Sequence, residues 1–409
     1  MILEVVTITA LGLGSILWVE IVRDCYHALA HYWQPLYRLH VWHHRVFRPD
    51  LSVVSEALYR QAHWYNDLPE ALVMLLLSLL PVWAAWIWQV PYGSMSWAGS
   101  LYTSVFLASA IGRGAGVPHL DELTDVTHRP GQFTELPARW MVNRTYHWRH
   151  HFDNQKAYYS GTLSLVDKLL GTALSLKGKT IAVTGASGGL GRSLLKHLDS
   201  KGAKVIALTS QEQAIAIEIA GESKPIPTVS WQVGQEANLA DLFASVDILI
   251  LNHGINGYGK RSHQAIADSY EINAFSHLRL MDLFFSTVRT NEEIARKEVW
   301  VNTSEAEVNP AFSPLYELSK RTLGDVVTLR RLDAPCVVRK LILGPFKSSL
   351  NPFGVMSADW VGQQIVNLAQ RDVRNIIVTV NPLTYLAFPF KEFFVSTYFQ
   401  LFSRKTPLS

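Results

Sequence analysis

From Ala71 to Gly112 the chain carries no charged side chain. That run is about twice the roughly 20 apolar residues that cross a bilayer once. It is broken at Pro91-Tyr92-Gly93, a turn signal. A chain built this way is expected to form a helical hairpin through a membrane, down and back. An earlier apolar run, Val5 to Val19, is a third candidate span, bounded by Glu4 and Glu20. Its position also fits a signal peptide, but no Lys or Arg precedes it and no small-residue cleavage site follows, so it is expected to stay as an anchor. Orientation follows from charge. Arg23, Arg38, Arg45 and Arg48 follow the first run, and Arg113 follows the hairpin. The positive-inside rule then puts residues 21–70, and everything after Arg113, on the cytoplasmic side.

The rest of the 409 residues is unlike this half. Eleven of the fifteen histidines lie at or before His151, and ten of the thirteen tryptophans at or before Trp148. From Lys177 onward come short β-branched runs, Gly turns and evenly spread charge. The boundary is placed in the stretch Leu174 to Lys179. The expected organisation is an all-α membrane domain over 1–175, an α/β Rossmann-like domain with a doubly wound parallel sheet over 178–380, and an apolar tail over 381–409. A net charge of +3 gives no electrostatic case for nucleic acid. The two cysteines, Cys25 and Cys336, are far apart. They exclude a disulfide framework, a thiolate cluster and an iron–sulfur cluster built from this chain alone.

The histidines are patterned. His27 and His31 stand in HALAH, His40, His43 and His44 in HVWHH, and His147, His150 and His151 in HWRHH. On a helix, residues at i, i+3 and i+4 share a face, so each box presents its imidazoles together. Both histidine-rich segments fall on the same predicted side of the membrane, a condition for their sharing a site. Eight converging imidazoles suit a metal such as iron or zinc. His119, in GAGVPHLDE after the hairpin, is a candidate ninth ligand. His63 and His128 are read as packing or supporting groups.

These boxes, with NRTYHWRHHFDNQKAYYSGTLSLVDKLLGT, resemble the fatty acid hydroxylase/sterol desaturase superfamily over roughly residues 15 to 172. The closing phrase Val166-Asp167-Lys168-Leu169-Leu170-Gly171-Thr172 has Val where that family commonly has Trp. The resemblance implies a site of two iron ions that activates O₂ for hydroxylation or desaturation of a lipid of sterol, fatty acyl or isoprenoid type. With no thiolate cluster or haem attachment in the chain, such chemistry requires an external electron donor, a ferredoxin or cytochrome b5-like protein.

In the second half, Thr180 to Thr184 reads as a buried strand. It runs into Gly185-Ala186-Ser187-Gly188-Gly189-Leu190-Gly191, then a helical pattern to Leu198 and a second strand, Lys204 to Leu208. Glycines there permit a tight turn and close approach to a pyrophosphate at a helix N-terminus. Asp247 to Gly254, Val299 to Ala306 and Cys336 to Gly344 read as further strands separated by helices, which argues for a doubly wound sheet. TGASGGLG, Asn273 in YEINAFS, Ser304 in VNTSEA and Tyr316 with Lys320 in YELSK resemble the short-chain dehydrogenase/reductase family over residues 178 to 345 or beyond. Asn252-His253-Gly254 departs from that family's usual NNAG. The resemblance implies cofactor contacts from Thr184, Gly185, Ser187, Gly189, Gly191, Thr209, Asn252, Gly254 and Lys320. Tyr316 would be the acid/base, Ser304 would hydrogen-bond the substrate oxygen, and Asn273 would hold a relay water. A tyrosine's ordinary pKa of about 10 is too high for base work near neutrality. Lys320, one turn on, is expected to lower it and to bind the ribose. No acid follows the second strand at Leu208-Thr209-Ser210-Gln211, which favours NADP(H) over NAD(H).

The tail from Pro382 to Phe402 is rich in Phe, Tyr and Leu, with Lys391 and Glu392 in its middle. Those charges argue against a full span. A membrane-lying helix, a substrate lid and a segment packed on the domain's own core all remain open. Two functions from different classes follow. In one, an oxygenase and a dehydrogenase act in turn on one lipid. In the other, the histidine domain is a structural metal-binding anchor and only the reductase acts.

Overall fold

The computed structural model describes residues 1–219 and 221–404. The chain divides into two units, Met1–Ser175 and Leu176–Ser409, close to the boundary read from the sequence. The last five residues of the expected tail, 405–409, lie outside the described residues.

The first unit is helical. Its principal helices are α1 (Ile2–Ala30), α2 (Gln34–Arg45), α3 (Glu56–Ile87), α4 (Trp97–Ala115) and α5 (Arg144–Phe152). Two of them, α1 and α3, are long and apolar enough to cross a membrane. The uncharged run forms the expected hairpin of α3 and α4, turned at Tyr92, whose φ of 60° is left-handed. Within the unit α1 packs closely on α4. Gly99 donates its N–H to the Ser15 hydroxyl at 3.0 Å, and a Cβ on Gly99 would stand 2.6 Å from the Ser15 carbonyl oxygen. Small residues thus let these helices approach and hydrogen-bond, as apolar surroundings require. Leu76, Trp83 and Trp86 remain exposed on the outside of α3.

The second unit is built on seven parallel strands. In chain order the strands are β1 (Thr180–Thr184), β2 (Lys204–Thr209), β3 (Ile215–Ile219), β4 (Glu222–Ile226), β5 (Thr228–Ser230), β6 (Ile248–Leu251), β7 (Glu298–Asn302), β8 (Val337–Leu343) and β9 (Asn375–Val378). The main sheet runs β5-β2-β1-β6-β7-β8-β9, while β3 and β4 form a separate antiparallel hairpin. β6, Ile-Leu-Ile-Leu, is buried throughout, as a central strand covered on both faces must be. Helices α6 (Gly189–Ser200), α7 (Pro314–Arg331), α8 (Ala358–Gln370) and α9 (Pro382–Phe402) complete the parts used below. The order reverses between β1 and β6, which opens a crevice at the strands' C-terminal ends, the usual ligand position in such sheets.

One buried ion pair ties the strands that carry the site. Arg339 on β8 is fully buried. It donates to Glu298 on β7 at 2.7 and 3.0 Å and lies 2.8 Å from Asp372. The Trp300 indole N–H also donates to Glu298 at 3.0 Å. Removing one partner of a buried pair strands the other charge, at a cost of about 3–5 kcal/mol. Glu298→Gln should therefore lower the melting temperature of this unit by several degrees, read by thermal unfolding in detergent. An unchanged melt would show that the guanidinium is held by Asp372 alone.

Candidate functional site

In the first unit the imidazoles converge on two centres. His27, His31, His40, His44 and His150 form one group, and His43, His128, His147 and His151 the other. The boxes are split rather than kept together. The i, i+4 pairs His40/His44 and His147/His151 each serve one centre, while His43 and His150 cross to the opposite one. In the first group Nε2 faces Nε2: His27 lies 3.1 Å from His40 and 3.0 Å from His150, and His44 lies 3.0 Å from His40 and 3.2 Å from His150. In the second, His147 lies 2.9 Å from His128 and 3.1 Å from His151, and His151 lies 3.0 Å from His43.

The outer nitrogens fix the tautomers. His150 Nδ1 donates to the Ala157 carbonyl at 2.8 Å, His27 Nδ1 to the Tyr159 carbonyl at 2.6 Å and His40 Nδ1 to Asn66 Oδ1 at 3.0 Å. The protons are on the outside, so bare lone pairs meet at the centre. Burial, with repulsion from neighbouring imidazoles, pushes His150 down to about 3, so this ring is neutral at physiological pH. Facing lone pairs repel unless a cation lies between them. Two nitrogens bound at right angles to a metal at about 2.1 Å are themselves about 3.0 Å apart, the spacing found here. The residues therefore fit two metal ions, and imidazole-only surroundings suit iron, zinc, copper or nickel.

The loop behind the centres explains the motif after the third box. The Asp167 carboxylate is fully buried and accepts N–H bonds from Tyr159 and Ser160, both at 2.8 Å, and O–H bonds from Tyr146 at 2.9 Å and Thr172 at 2.6 Å. Together with the left-handed Tyr158, at φ 60°, this aims the 157 and 159 carbonyls at His150 and His27. Asp125 accepts from His128 Nδ1 at 2.5 Å, the outer-sphere carboxylate common behind a ligating histidine. A cavity of about 310 Å³ adjoins the centres, lined by His27, His43 and His128 and by Val19, Met74 and Phe106.

His119 is not at either centre. It caps the short Leu120–Thr124 helix in a left-handed conformation, its side chain is 79% exposed, and it pairs with Glu122. His128, read from the sequence as a supporting group, takes the ninth place. The signal available was Asp125 three residues before it, against a positive-φ turn at His119 that points outward.

In the second unit the expected residues gather at the C-terminal ends of β1, β6 and β7. Gly185 has φ +61°, and a Cβ there would meet His253 Cα at 2.9 Å. A Cβ on Gly191 would overlap the Gly185 carbonyl. α6 starts at Gly189 behind Gly188, which offers no side-chain cap, so its first N–H groups are open to a phosphate. Thr184 Oγ1 accepts the Asn252 N–H at 2.8 Å, and Thr209 Oγ1 donates to Ser187 Oγ at 3.2 Å. Gly254 is held to glycine by the Asn273 Oδ1, 3.0 Å from where its Cβ would be. These groups fit a dinucleotide cradle.

Ser304 and Tyr316 lie together, the Ser304 side chain close enough to the phenol to lower its pKa. Two expectations are corrected in detail. Lys320 does not hold the phenol down. Its Nζ donates to the Asn302 carbonyl at 2.9 Å and lies 6.0 Å from the Tyr316 ring centre. Burial raises the Tyr316 phenol and only Ser304 opposes it. Asn273 is a clamp here. It accepts the Ile255 N–H at 2.8 Å and donates to the Ile255 carbonyl at 3.0 Å and Ser319 Oγ at 2.9 Å, so it pins the loop after β6.

Two features went unread in the sequence. His253 stacks on His277 with ring centres 3.9 Å apart and bonds Thr184 Oγ1 at 2.9 Å, filling the place of the altered NNAG residue. Arg192 donates to the Ser187 carbonyl at 3.1 Å, beside Thr209.

Comparison with known proteins decides the family. The short chain dehydrogenase family matches residues 179–326. The monoglucosyldiacylglycerol epimerase of Synechocystis sp. (strain ATCC 27184 / PCC 6803 / Kazusa) is 64% identical over 403 residues, 97% of this chain and 98% of that one. The chain belongs to that epimerase's family. Among solved structures, a short chain dehydrogenase from Burkholderia cenocepacia J2315 in complex with NADP is 19% identical, covering 56% of this chain and all of its own, with a TM-score of 0.44. One from Sphingobium yanoikuyae in complex with NADPH is 15% identical, covering 56% of this chain and 98% of its own, also at 0.44.

The whole-length relative overturns the expectation of O₂-dependent lipid hydroxylation or desaturation coupled to a dehydrogenase step. Epimerisation inverts one stereocentre and leaves the oxidation state of its substrate unchanged, whereas an oxygenase adds oxygen or removes hydrogen. The histidine pattern is present and arranged as a metal centre would require. The oxygen chemistry inferred from it does not follow.

Two measurements test this geometry. By elemental analysis of the purified chain, His150→Ala should lose most bound transition metal and His119→Ala should lose none; equal loss in both would undo the ligand assignment. Burial pushes Lys320 down to about 8 from its ordinary 10.5. Between those values the unfolded chain holds more protons, so this residue's contribution to stability rises with pH through that window and is flat below it. Melts of wild type against Lys320→Met should diverge from pH 8 to 10 in favour of wild type.

Proposed function

We propose that the chain is a membrane-bound epimerase of a glycosylated diacylglycerol, inverting one carbinol carbon of the sugar in the dehydrogenase unit. Support comes from the Ser304–Tyr316 pair at the strand ends, beside a dinucleotide cradle, in a chain 64% identical over nearly its whole length to a monoglucosyldiacylglycerol epimerase.

The residues present fit NADP(H). Neither Ser210 nor Gln211, the two residues after β2, is acidic, and Arg192 beside Thr209 favours a 2′-phosphate. When bound, the nicotinamide supplies the hydride acceptor and then the donor. Tyr316 takes the hydroxyl proton as the carbinol carbon is oxidised and returns it to the oxygen after the sugar presents its other face. Ser304 donates to that oxygen throughout. Lys320 keeps its cation beside the ribose and holds the Asn302 end of β7 in place. The electrons removed are the electrons returned, so this reading calls on no ferredoxin or cytochrome b5-like donor.

In the first unit, the nine imidazoles hold two metal ions, with iron the first candidate. The ligand set is that of the fatty acid hydroxylase/sterol desaturase type without its oxygen chemistry. The ions join α1, α2 and α5 through His27, His40 and His150, so their binding energy is folding energy of the membrane unit. The distribution of arginine supports placing the histidine centres and the dehydrogenase unit on the cytoplasmic side.

The test is to incubate the purified chain with monoglucosyldiacylglycerol under argon and resolve the sugar of the product by NMR. An epimer of unchanged mass is expected, with the carbinol hydrogen retained. Loss of the acid/base group should slow turnover at least about 10²-fold in Tyr316→Phe and leave NADP(H) binding intact. A requirement for O₂, or a product one oxygen heavier, would sink the reading.

A further inference from the structure

Helix α9 holds two charged residues in 21, and both turn inward. Lys391 Nζ donates to Glu307 at 2.8 Å and Asp325 at 2.6 Å. Glu392 accepts from the buried Lys340 at 2.8 Å, from Thr328 at 3.0 Å and from Arg331 at 3.0 Å. Thr384, Phe388 and Glu392, four residues apart, form the buried stripe that seats the helix on its own unit. The opposite face is left without a charge. Leu386, Phe390, Phe393, Phe394, Leu401 and Phe402 are each more than half exposed, Leu386 and Phe402 by 75% and 74%. The charges that argued against a full span are the pins by which the helix is held.

We propose that α9 lies in the plane of the lipid–water interface, its aromatic face among the acyl-chain ends, and docks the dehydrogenase unit on the bilayer. An amphipathic helix of this composition binds through its buried apolar area, and so much contiguous apolar surface is rarely left to water. A bilayer is the occupant favoured over a second copy of the chain for three reasons. The chain already carries two helices of membrane-crossing length. Nine residues connect Leu170 in the first unit to Thr180 in β1, a reach of about 35 Å at most when fully extended. The exposed Arg404 follows the helix, where a phosphate headgroup would meet it.

The helix also begins at the catalytic rim. Thr384 Oγ1 contacts Glu305 at 3.1 Å and Asn309 at 2.8 Å, and Glu305 follows Ser304. On that rim Phe312 and Phe353 are 97% and 89% exposed. Their loops are linked through Asn256, which accepts from Ser313 at 2.6 Å and donates to the Leu350 carbonyl at 3.4 Å. The interface plane set by α9 therefore brings lipid to the mouth of the Tyr316 site.

The experiment uses the full chain with Cys25→Ser, Cys336 being buried, in phosphatidylcholine/phosphatidylglycerol vesicles containing doxyl-labelled phosphatidylcholine. Bimane is attached at Phe390→Cys, at Phe394→Cys and, as an exposed reference, at Glu222→Cys. Quenching by the labelled lipid should be several-fold stronger at 390 and 394 than at 222, with iodide quenching in the reverse order. Strong iodide and weak lipid quenching at 390 and 394 would place the face in water. Protection from both would place it against protein. Either result overturns the proposal, and neither depends on turnover, so the epimerase reading stands or falls separately.

Discussion

Nine imidazole nitrogens gathered into two groups, each within 4.8 Å, set the shape of the helical unit. No helix supplies more than three of them; one centre needs α1, α2 and α5 to meet, and the other needs α2, α5 and the loop bearing His128. Each approach costs desolvation and lone-pair repulsion, which only a cation can offset. The Asp167 loop and the left-handed Tyr158 exist to hold carbonyls behind the rings. The same rule, that charge in apolar surroundings must be partnered, recurs at Glu298–Arg339 and at Lys340–Glu392 in the other unit.

Metal geometry and metal chemistry come apart here. An all-imidazole pair of sites says which ions bind and how tightly they join helices. Whether oxygen is activated depends also on electron supply and on the substrate presented. Epimerisation, the activity named for the monoglucosyldiacylglycerol epimerase to which the chain is 64% identical, needs no net electrons, and the dehydrogenase unit alone gathers Tyr316, Ser304 and residues that fit a dinucleotide cradle. On the proposed reading the stereochemical step falls to Tyr316 rather than to the histidines.

Much of this was legible in the sequence because it rests on local spacing. The hairpin follows from an uncharged run, the sheet from buried apolar strands, the cradle from glycines whose Cβ atoms would collide, and eight of the nine clustered histidines from i, i+3 and i+4 repeats. What was missed depends on direction. His119 and His128 are nine residues apart in one loop, and only the backbone turn decides which points inward. Lys320 is one turn from Tyr316, yet its amine goes to the Asn302 carbonyl because β7 ends beneath it. Asn273 was read as a water carrier, but it lies in a π-turn that presses its amide onto Ile255. The Lys391–Glu392 pair argued only against a full span and left the tail's place open, since a sequence does not show on which side of a helix its charges find partners.

An amphiphilic substrate sets a demand that neither unit meets by catalysis alone. Pulling two acyl chains out of a bilayer costs about 0.8 kcal/mol per buried CH₂, far more than contacts to a single sugar can return. An enzyme that works on the headgroup must then come to the lipid. The ion pairs of α9 meet that demand, because they consume the only charges on the helix and fix its apolar face outward at the edge of the Ser304–Tyr316 site. Stability and substrate access are served by the same contacts. Replacing Lys340 or Glu392 would loosen the helix from its strand and, with it, the registry between the lipid surface and the reacting hydroxyl.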